Sequence, residues 1–196
     1  MKDFNDLNYI IENLAKKSTD INDERKTLSI SEVETPLGKM IAGIIENKLT
    51  MLVFEDPPTL ENKIKQISKK LGAVPVIIEN PLFKIIQEEL SLYFEGKLKE
   101  FTIPLFECGT DFQKRVWNEL KKIPYGKTIS YDTLAKRIGD LNAVRAVANA
   151  NGQNSIGIII PCHRVIGKDG NLRGYGGKVW RKKWLLELEN PEEKLL

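Results

Sequence analysis

The spacing of apolar positions along the first half of the chain changes from a helical period to an extended one. Apolar residues recur every three or four positions over 3–17, which predicts a short amphipathic helix at the start. The segment TLSISEVETPLGKMIAGIIENKLTMLVFED, residues 27–56, then predicts three strands separated by turn signals at 36–38 and 46–48. We therefore expect a helix followed by a small antiparallel meander.

Helical spacing returns after the meander. Apolar residues over 60–71 predict a second helix, and AVPVII at 73–78 predicts a further strand. Asn80 followed by Pro81 is an N-cap and first-turn signal for a helix that runs to about Phe94. Together these elements predict a small α/β domain.

A domain boundary is expected between residues 1–100 and 101–196. An extended segment that contains proline leads into a helix start at Thr110, where Gln113 completes a capping box. Two short helices broken at Gly139-Asp140 follow, which is the helix-turn-helix pattern. Helical hairpins with glycine in the turn also occur in many proteins that never bind DNA, so this pattern alone leaves DNA binding open.

The end of the chain predicts a strand, a turn and a closing helix. The strand is GIIIP, which ends at Pro161, and the turn is GKDGN at 167–171. The helix is predicted from about Lys178 to Glu189. Its apolar positions are Val179, Trp180, Trp184, Leu185 and Leu188.

Composition restricts the classes of function. With 196 residues, 41% of them hydrophobic, the chain can bury one sizeable core or two small ones, and a net charge of +3 is too small for binding nucleic acid by bulk charge. The N-terminal segment interleaves polar and acidic residues, unlike a signal peptide or membrane anchor, so we expect a cytoplasmic protein. Cys108 and Cys162 are the only cysteines, which predicts neither a disulfide framework nor a structural zinc.

The segment IIIPCHRVIGKDG carries the candidate chemistry. Cys162 and the only histidine, His163, follow a proline directly. A thiolate is a strong nucleophile, and a cysteine at a strand end can be presented to a pocket. Neighbouring side chains on an extended chain point in opposite directions, so a water bridge between thiol and imidazole is expected. A buried structural thiol beside a hydrogen-bonded core histidine is the alternative that these two residues leave open.

This segment resembles the active-site signature of the O6-alkylguanine-DNA alkyltransferases, also called methylated-DNA–protein-cysteine methyltransferases. Further segments fall in that family's order and spacing: GTDFQKRVWNELKKIPYGKTISYDTLAKRIG, AVRAVANANGQN, YGG and KKWLLELE. The likeness covers the whole C-terminal half, whereas the N-terminal half matches chiefly in ETPLGKM. It implies an α/β fold, with a small ribonuclease H-like N-terminal α/β domain before a mostly helical domain that carries the helix-turn-helix.

The resemblance also implies a reaction. Cys162 is similar to the family's alkyl acceptor, which attacks the alkyl group on guanine O6 and keeps it as a thioether, so the protein is consumed. His163 matches the base that takes the thiol proton through a water, and Glu189 matches the carboxylate that orients the imidazole. Asn154 matches the asparagine that braces the DNA-binding helix against the active-site segment.

Substrate contacts are implied in the same way. The O6 atom of a paired guanine is shielded within the stack, so the nucleotide must be flipped out. Tyr131 matches the residue that crowds the target phosphate and hydrogen-bonds the guanine ring. Tyr175 and Gly176 match the pocket wall, and the carbonyls of Cys162 and Val165 match the acceptors for the guanine amino group.

The second helix of the motif is implied to enter the DNA minor groove. Arg145 matches the family's finger, which fills the space that the flipped base leaves. Asn142, Val144 and Ala146 surround it, and together with Tyr131 they are the expected DNA contacts.

The implied partner is duplex DNA that contains O6-alkylguanine, with no cofactor, no membrane and a monomeric protein. O4-alkylthymine and the range of alkyl sizes stay open.

Three alternatives compete with the repair enzyme. A non-catalytic binder of alkylated DNA would lack the reactive cysteine, a transcription regulator would carry a cysteine-rich sensor, and a cysteine hydrolase would use a histidine distant in sequence.

Overall fold

A computed structural model describes residues 7–16, 26–56 and 59–192. The chain divides into two compact units, of which the first comprises the residues up to Ser91 together with 102–108. The second comprises residues 92–101 and the chain from Gly109 onward. Within the described ranges, every helix is too short or too polar to cross a membrane.

The first unit is built on a four-stranded sheet in the order β3-β2-β1-β4. Strands β1 (Lys26–Val33), β2 (Met40–Ile45) and β3 (Lys48–Phe54) form the predicted antiparallel meander. Strand β4 (Ala73–Ile77) lies parallel to β1. A parallel neighbour requires a crossover, and the intervening helix provides it.

Three helices accompany this sheet: α1 (Leu7–Lys16), α2 (Thr59–Leu71) and α3 (Pro81–Phe94). All three were predicted, although both ends of the range 3–17 predicted for α1 lie outside the described residues. Asn80 caps α3, since its Oδ1 accepts from the backbone N–H of Leu82 at 2.9 Å. The buried face of α1 joins the core of the unit, so this helix is part of the fold: Leu7, Ile10, Ile11 and Leu14.

The second unit is mostly helical. Its helices are α4 (Asp111–Lys121), α5 (Tyr131–Arg137), α6 (Val144–Gly152) and α7 (Val179–Glu189). The predicted capping box opens α4, where the side chains of Thr110 and Gln113 each bond the other's backbone N–H. The mixed sheet followed by a mainly helical part confirms the predicted α/β class.

Helices α5 and α6 form the predicted pair around a glycine turn. Gly139 has φ 86°, a left-handed value that glycine adopts at no steric cost. A short 3₁₀ turn at Leu141–Ala143 leads into α6. In addition, strand β5 (Ile129–Ser130) pairs in parallel with β6 (Val165–Ile166), which follows the cysteine segment.

The prediction of a strand at GIIIP is wrong. The segment is a sequence of turns in which Ile158 has φ 68°, a value that a β-branched residue rarely adopts. The Asn154 side chain explains the turn, because its Oδ1 accepts from the N–H of Ile156 at 2.9 Å and its Nδ2 donates to the carbonyl of Ile160 at 2.9 Å. The segment still buries alternate residues, which is why it has the pattern of a strand.

The predicted closing helix is present as α7, but its buried face does not follow its apolar positions. Val179 and Trp180 are exposed, whereas Leu185 is buried. The residues that α7 buries include Arg181, Lys182 and Glu189. Charged side chains can be buried when they find partners. Arg181 donates to the carbonyl of Gly177 at 3.2 Å, and Lys182 and Glu189 find partners in the site described next.

Candidate active site

Cys162 opens a 3₁₀ turn, Cys162–Arg164, and is only 6% exposed. The Nδ2 group of Asn154 lies 3.2 Å from its Sγ. The same amide holds the preceding turn, so one side chain fixes both the backbone that enters the site and the sulfur. The Asn154 side chain bonds Ile156, Ile160 and Cys162, whereas its link to α6 is the bond from its backbone N–H to the carbonyl of Asn151 at 3.3 Å.

His163 is fully buried, and its Nε2 lies 2.9 Å from Oε1 of Glu189. A carboxylate only accepts hydrogen bonds, so Nε2 carries the proton in the neutral ring and Nδ1 keeps a lone pair. Among the described residues, Nδ1 has no hydrogen-bond partner. This tautomer leaves a basic nitrogen free on the residue next to the thiol.

Glu189 receives five hydrogen bonds. Arg164 donates from Nε to Oε2 and from an Nη to Oε1, both at 2.8 Å. The backbone N–H of Gly126 donates to Oε2 at 3.1 Å, and the hydroxyl of Tyr93 donates to Oε1 at 2.7 Å. Gly126 has φ 71°, and a Cβ there would lie 2.7 Å from the carbonyl oxygen of Glu189, so only glycine allows this approach.

These contacts set the charge states of the pair. Burial alone would raise the pKa of Glu189, but the hydrogen bonds and charges of His163 and Arg164 outweigh it and hold the pKa well below its usual range. Burial lowers the pKa of His163, although its bond to Glu189 works in the opposite direction. At neutral pH the site therefore contains an ionised carboxylate and a neutral imidazole.

A pocket of about 740 Å³ lies between α5, α6 and the turn that follows the cysteine segment, and Cys162 itself does not line it. Its walls include Tyr131 and Tyr175 of the predicted substrate residues. Burial, and then the charge of the Cys162 thiolate, raise the pKa of both phenols. The ring of Tyr175 lies 6.5 Å from that of His163, measured between centroids, so this wall of the pocket is next to the cysteine segment.

The predicted carbonyl acceptors already hold protein donors. The carbonyl of Cys162 accepts from Nδ2 of Asn151 at 3.3 Å, and that of Val165 accepts from Nζ of Lys182 at 2.6 Å. The carbonyl of Cys162 also accepts from the backbone N–H of Val165, which fills both of its lone pairs, so a guanine amino group would have to displace one of these donors. Gly176 is exposed and is not among the residues that line the pocket.

The predicted DNA contacts lie on an exposed face. Arg145 and Val144 line the rim of the pocket, while Asn142 and Ala146 are exposed beside them. Lys168, Arg173 and Asp169 join them from the turn after the cysteine segment. The face thus places exposed cations around the pocket mouth.

Sequence reasoning missed Arg164, Gly126 and Tyr93, the additional donors to Glu189. Arg164 is adjacent to the predicted pair, and an arginine next to a nucleophile and a base was a usable signal. No local pattern pointed to Tyr93, which is 96 positions from Glu189. In the described part of the chain, no cluster of three or more His, Cys, Asp or Glu side chains is arranged to hold a metal ion.

Two family models match consecutive parts of the chain. Residues 30–106 match the ribonuclease-like domain of 6-O-methylguanine DNA methyltransferase, and residues 111–191 match the DNA binding domain of the same family. The first match confirms the predicted ribonuclease-like N-terminal domain. Helix α1 precedes both matches.

Relatives and solved structures agree with these models. A methylated-DNA–protein-cysteine methyltransferase of Mycobacterium leprae is 45% identical over 82% of this chain and 91% of its own. The crystal structure of Mycobacterium tuberculosis O6-methylguanine methyltransferase is 39% identical, covers 86% of this chain and 96% of its own, and superposes with a TM-score of 0.72. The structure of Mycobacterium tuberculosis OGT in complex with DNA is 40% identical, with coverages of 83% and 93% and a TM-score of 0.70. Both domains, their order and the overall fold therefore agree, and the chain belongs to the 6-O-methylguanine DNA methyltransferase family, as its motifs predicted.

Proposed function

We propose that this protein repairs DNA by transferring an alkyl group from O6 of guanine to Cys162. The observation that carries the proposal is the arrangement at Cys162: a buried thiol, followed by an imidazole whose Nε2 is tied to the ionised Glu189 and whose Nδ1 is free to accept a proton. This is the set of groups that activates a thiol. A non-catalytic binder of alkylated DNA would not require these groups.

The reaction is a displacement at carbon. The Cys162 proton passes to Nδ1 of His163, through a bridging water, and the bond from Sγ to the alkyl carbon forms as the bond from that carbon to O6 breaks. Glu189 stabilises the imidazolium that results. The guanine ring takes the negative charge of the broken bond, and the Tyr131 hydroxyl at the pocket wall supplies a hydrogen bond to it.

The product ends the reaction cycle. A thioether to an alkyl carbon is stable, and water is too weak a nucleophile to displace the thiolate from it. Each molecule therefore accepts one alkyl group and is then spent. The enzyme acts as a stoichiometric reagent.

Guanine O6 is inaccessible within the stack, so the nucleotide turns out of the duplex into the pocket. Arg145, exposed on α6 at the pocket rim, enters the space left behind and offsets part of the cost of unstacking. Tyr175 and the carbonyls of Cys162 and Val165 hold the flipped base, with Gly176 beside them. Asn142, Val144 and Ala146 approach the DNA backbone around the finger.

The partner is duplex DNA containing O6-alkylguanine, bound by a monomer. Preference over O4-alkylthymine is decided by how the pocket holds the ring, since both bases carry the alkyl group on an exocyclic oxygen. A cytoplasmic location, expected from the N-terminal sequence, stays a prediction.

Intact-mass spectrometry after incubation with an O6-methylguanine duplex tests the proposal. We expect the mass of one methyl group added, mapped by peptide analysis to Cys162, with one guanine restored for each protein molecule. Cys162→Ser is the control. This variant should still bind the duplex, and its mass should not change. An unchanged mass for the wild-type protein would leave only a binder or a regulator, and many restored guanines per molecule would refute the stoichiometric mechanism.

A further inference from the structure

Oε1 of Glu189 carries more donors than the oxygen can fully accept. The hydroxyl of Tyr93 at 2.7 Å, Nε2 of His163 at 2.9 Å and an Nη of Arg164 at 2.8 Å all converge on this one atom. A carboxylate oxygen offers about two lone-pair sites. The tyrosine and the imidazole therefore compete for the same electron density.

We propose that Tyr93 is a positioning residue that acts through Glu189 to keep the His163 imidazole neutral and ready to accept the thiol proton. The proposal rests on the proposed function, since it concerns the base that serves Cys162. It assigns a role in the chemistry to the end of α3, which lies far from the active-site motif in sequence.

The hydroxyl of Tyr93 is not needed to satisfy the carboxylate. Without it, Oε1 still has two donors, and Oε2 keeps Nε of Arg164 and the backbone N–H of Gly126. That makes four hydrogen bonds on about four lone-pair sites. The fifth donor, the Tyr93 hydroxyl, withdraws electron density from Oε1, which also accepts from Nε2 of His163. The hydrogen bond between the carboxylate and Nε2–H is therefore weaker.

Packing positions the hydroxyl for this contact. Tyr93 is fully buried, and its ring lies 5.4 Å from that of Phe94, 5.3 Å from that of Phe101 and 6.0 Å from that of Tyr125, measured between centroids. A phenylalanine would keep all of these ring contacts. The hydroxyl can therefore be removed while the ring that places it stays.

Other titratable groups surround the imidazole and the carboxylate. The charged and titratable side chains that face the imidazole and the carboxylate come from α3, α7, the cysteine segment and the loops around them: Tyr93, Tyr125, Cys162, Arg164, Tyr175 and Lys182. Arg164 and Lys182 disfavour an imidazolium, whereas Glu189 favours it. Tyr93 donates to Glu189, the carboxylate that favours protonation of the ring.

The direction of the effect follows from this competition. In Tyr93→Phe, Oε1 has two donors and becomes the stronger acceptor for Nε2–H, which stabilises the imidazolium. We expect the pKa of His163 to rise by about half a unit to one unit, roughly threefold to tenfold in proton affinity. The base is then protonated over a wider range of pH, so the acid limb of alkylation moves to higher pH by the same amount.

Two measurements test the proposal on full-length protein without a histidine tag. Because the chain has one histidine, the imidazole ¹⁵N and ¹³C resonances belong to His163 without ambiguity and report its pKa and tautomer. The second measurement is the rate of Cys162 alkylation by free O6-benzylguanine across pH, followed by intact mass. The matched control is Tyr125→Phe, because that hydroxyl is directed at the carbonyl of Leu188 at 3.4 Å instead of the carboxylate.

The expected result is an upward shift of both the resonance titration and the acid limb in Tyr93→Phe, with neither shifted in Tyr125→Phe. Equal titrations in wild type and Tyr93→Phe, or equal shifts in both variants, would overturn the proposal. If Tyr93→Phe does not fold, 3-fluorotyrosine at position 93 is the second test. Its more acidic hydroxyl donates more strongly and must move the titration to lower pH, and an unchanged titration would overturn the proposal. The NMR measurement needs no alkylation, so an unreactive wild type would count against the proposed function alone.

Discussion

The second unit handles charge in two opposite ways. Around the carboxylate, His163, Arg164 and Glu189 are 0%, 6% and 6% exposed, and each is hydrogen-bonded. On α6, Arg145 is exposed to solvent beside the small residue Ala146. One region removes its ions from water, while the other leaves its cation hydrated.

Because of this difference, substitutions in the two regions are expected to have different effects on stability and on function. A buried ion needs its partners, because an uncompensated charge in the interior is expensive, so a change at the carboxylate affects stability and chemistry together. An exposed cation contributes little to folding, and its removal affects only what it binds. The three predictions that follow test this separation, beginning with the largest effect.

Arg164→Met is expected to lower the free energy of unfolding by about 3–5 kcal/mol, because it leaves the buried Glu189 without its two guanidinium hydrogen bonds. Urea denaturation followed by circular dichroism measures the change. Lys183→Met is the matched control, since Lys183 pairs with Glu187 at 3.8 Å on the exposed side of α7. That change should stay within about 0.5 kcal/mol. Equal losses in the two variants would remove the distinction between buried and exposed ions.

Arg145→Ala is expected to slow repair of an O6-methylguanine duplex by about tenfold to a hundredfold, roughly 1–3 kcal/mol, because the finger offsets part of the cost of flipping. Alkylation by free O6-benzylguanine should be unchanged, since a free base has no stack to leave. Rates of Cys162 alkylation on the two substrates provide the measurement.

The control for that prediction is Arg115→Ala, which removes an exposed arginine of α4 that does not line the pocket. It corrects for the loss of one positive charge in DNA binding. If Arg145→Ala slowed alkylation equally on the duplex and on the free base, Arg145 would act on the fold or the chemistry. Its assignment as the finger would then be wrong.

The two regions should also respond to different solution conditions. Burial holds the pKa of His163 below its usual 6.5, so the base stays neutral as pH falls to that value. Alkylation by the free base should then decrease by about tenfold per unit once pH falls below the pKa in the folded protein. Added salt should leave this reaction unchanged but weaken duplex binding, because the exposed cations compete with counterions.

Stopped-flow or quenched rates with O6-benzylguanine across pH, and duplex affinity across salt concentration, measure the two responses. A loss of free-base alkylation that begins above pH 6.5 would mean that the imidazole is more basic than its burial implies. A duplex affinity that does not change with salt concentration would contradict the proposed contact of the exposed cations with DNA.

The sequence predicted a helix or strand correctly where the spacing of its apolar residues agreed with the capping or turn residues at its ends. The capping box at Thr110 and the apolar spacing after it defined α4, and the turn signals separated the three strands of the meander. They failed at GIIIP, because β-branched residues favour strands, whereas the side chain of Asn154 bends this backbone into turns. Burial alternates in both arrangements, so periodicity could not tell them apart.

The buried face of α7 also does not follow hydrophobicity. Trp180 is exposed and Lys182 is buried, with its Nζ 2.6 Å from the carbonyl of Val165. A pattern of hydrophobicity assumes that charges prefer water. That assumption fails where the fold provides a partner for the buried charge.

The order and spacing of the motifs were enough to identify the family and to propose the reactive cysteine and its neighbouring base, because these features are contiguous in the chain. Apart from His163, which the resemblance already pairs with Glu189, the donors around this carboxylate were not predictable in this way. They come from residues 93, 126 and 164, up to 96 positions away. A hydrogen bond requires only a donor within about 3 Å. Many side chains and every backbone N–H can supply one, so which of them reach the carboxylate is settled by how the helices and turns pack.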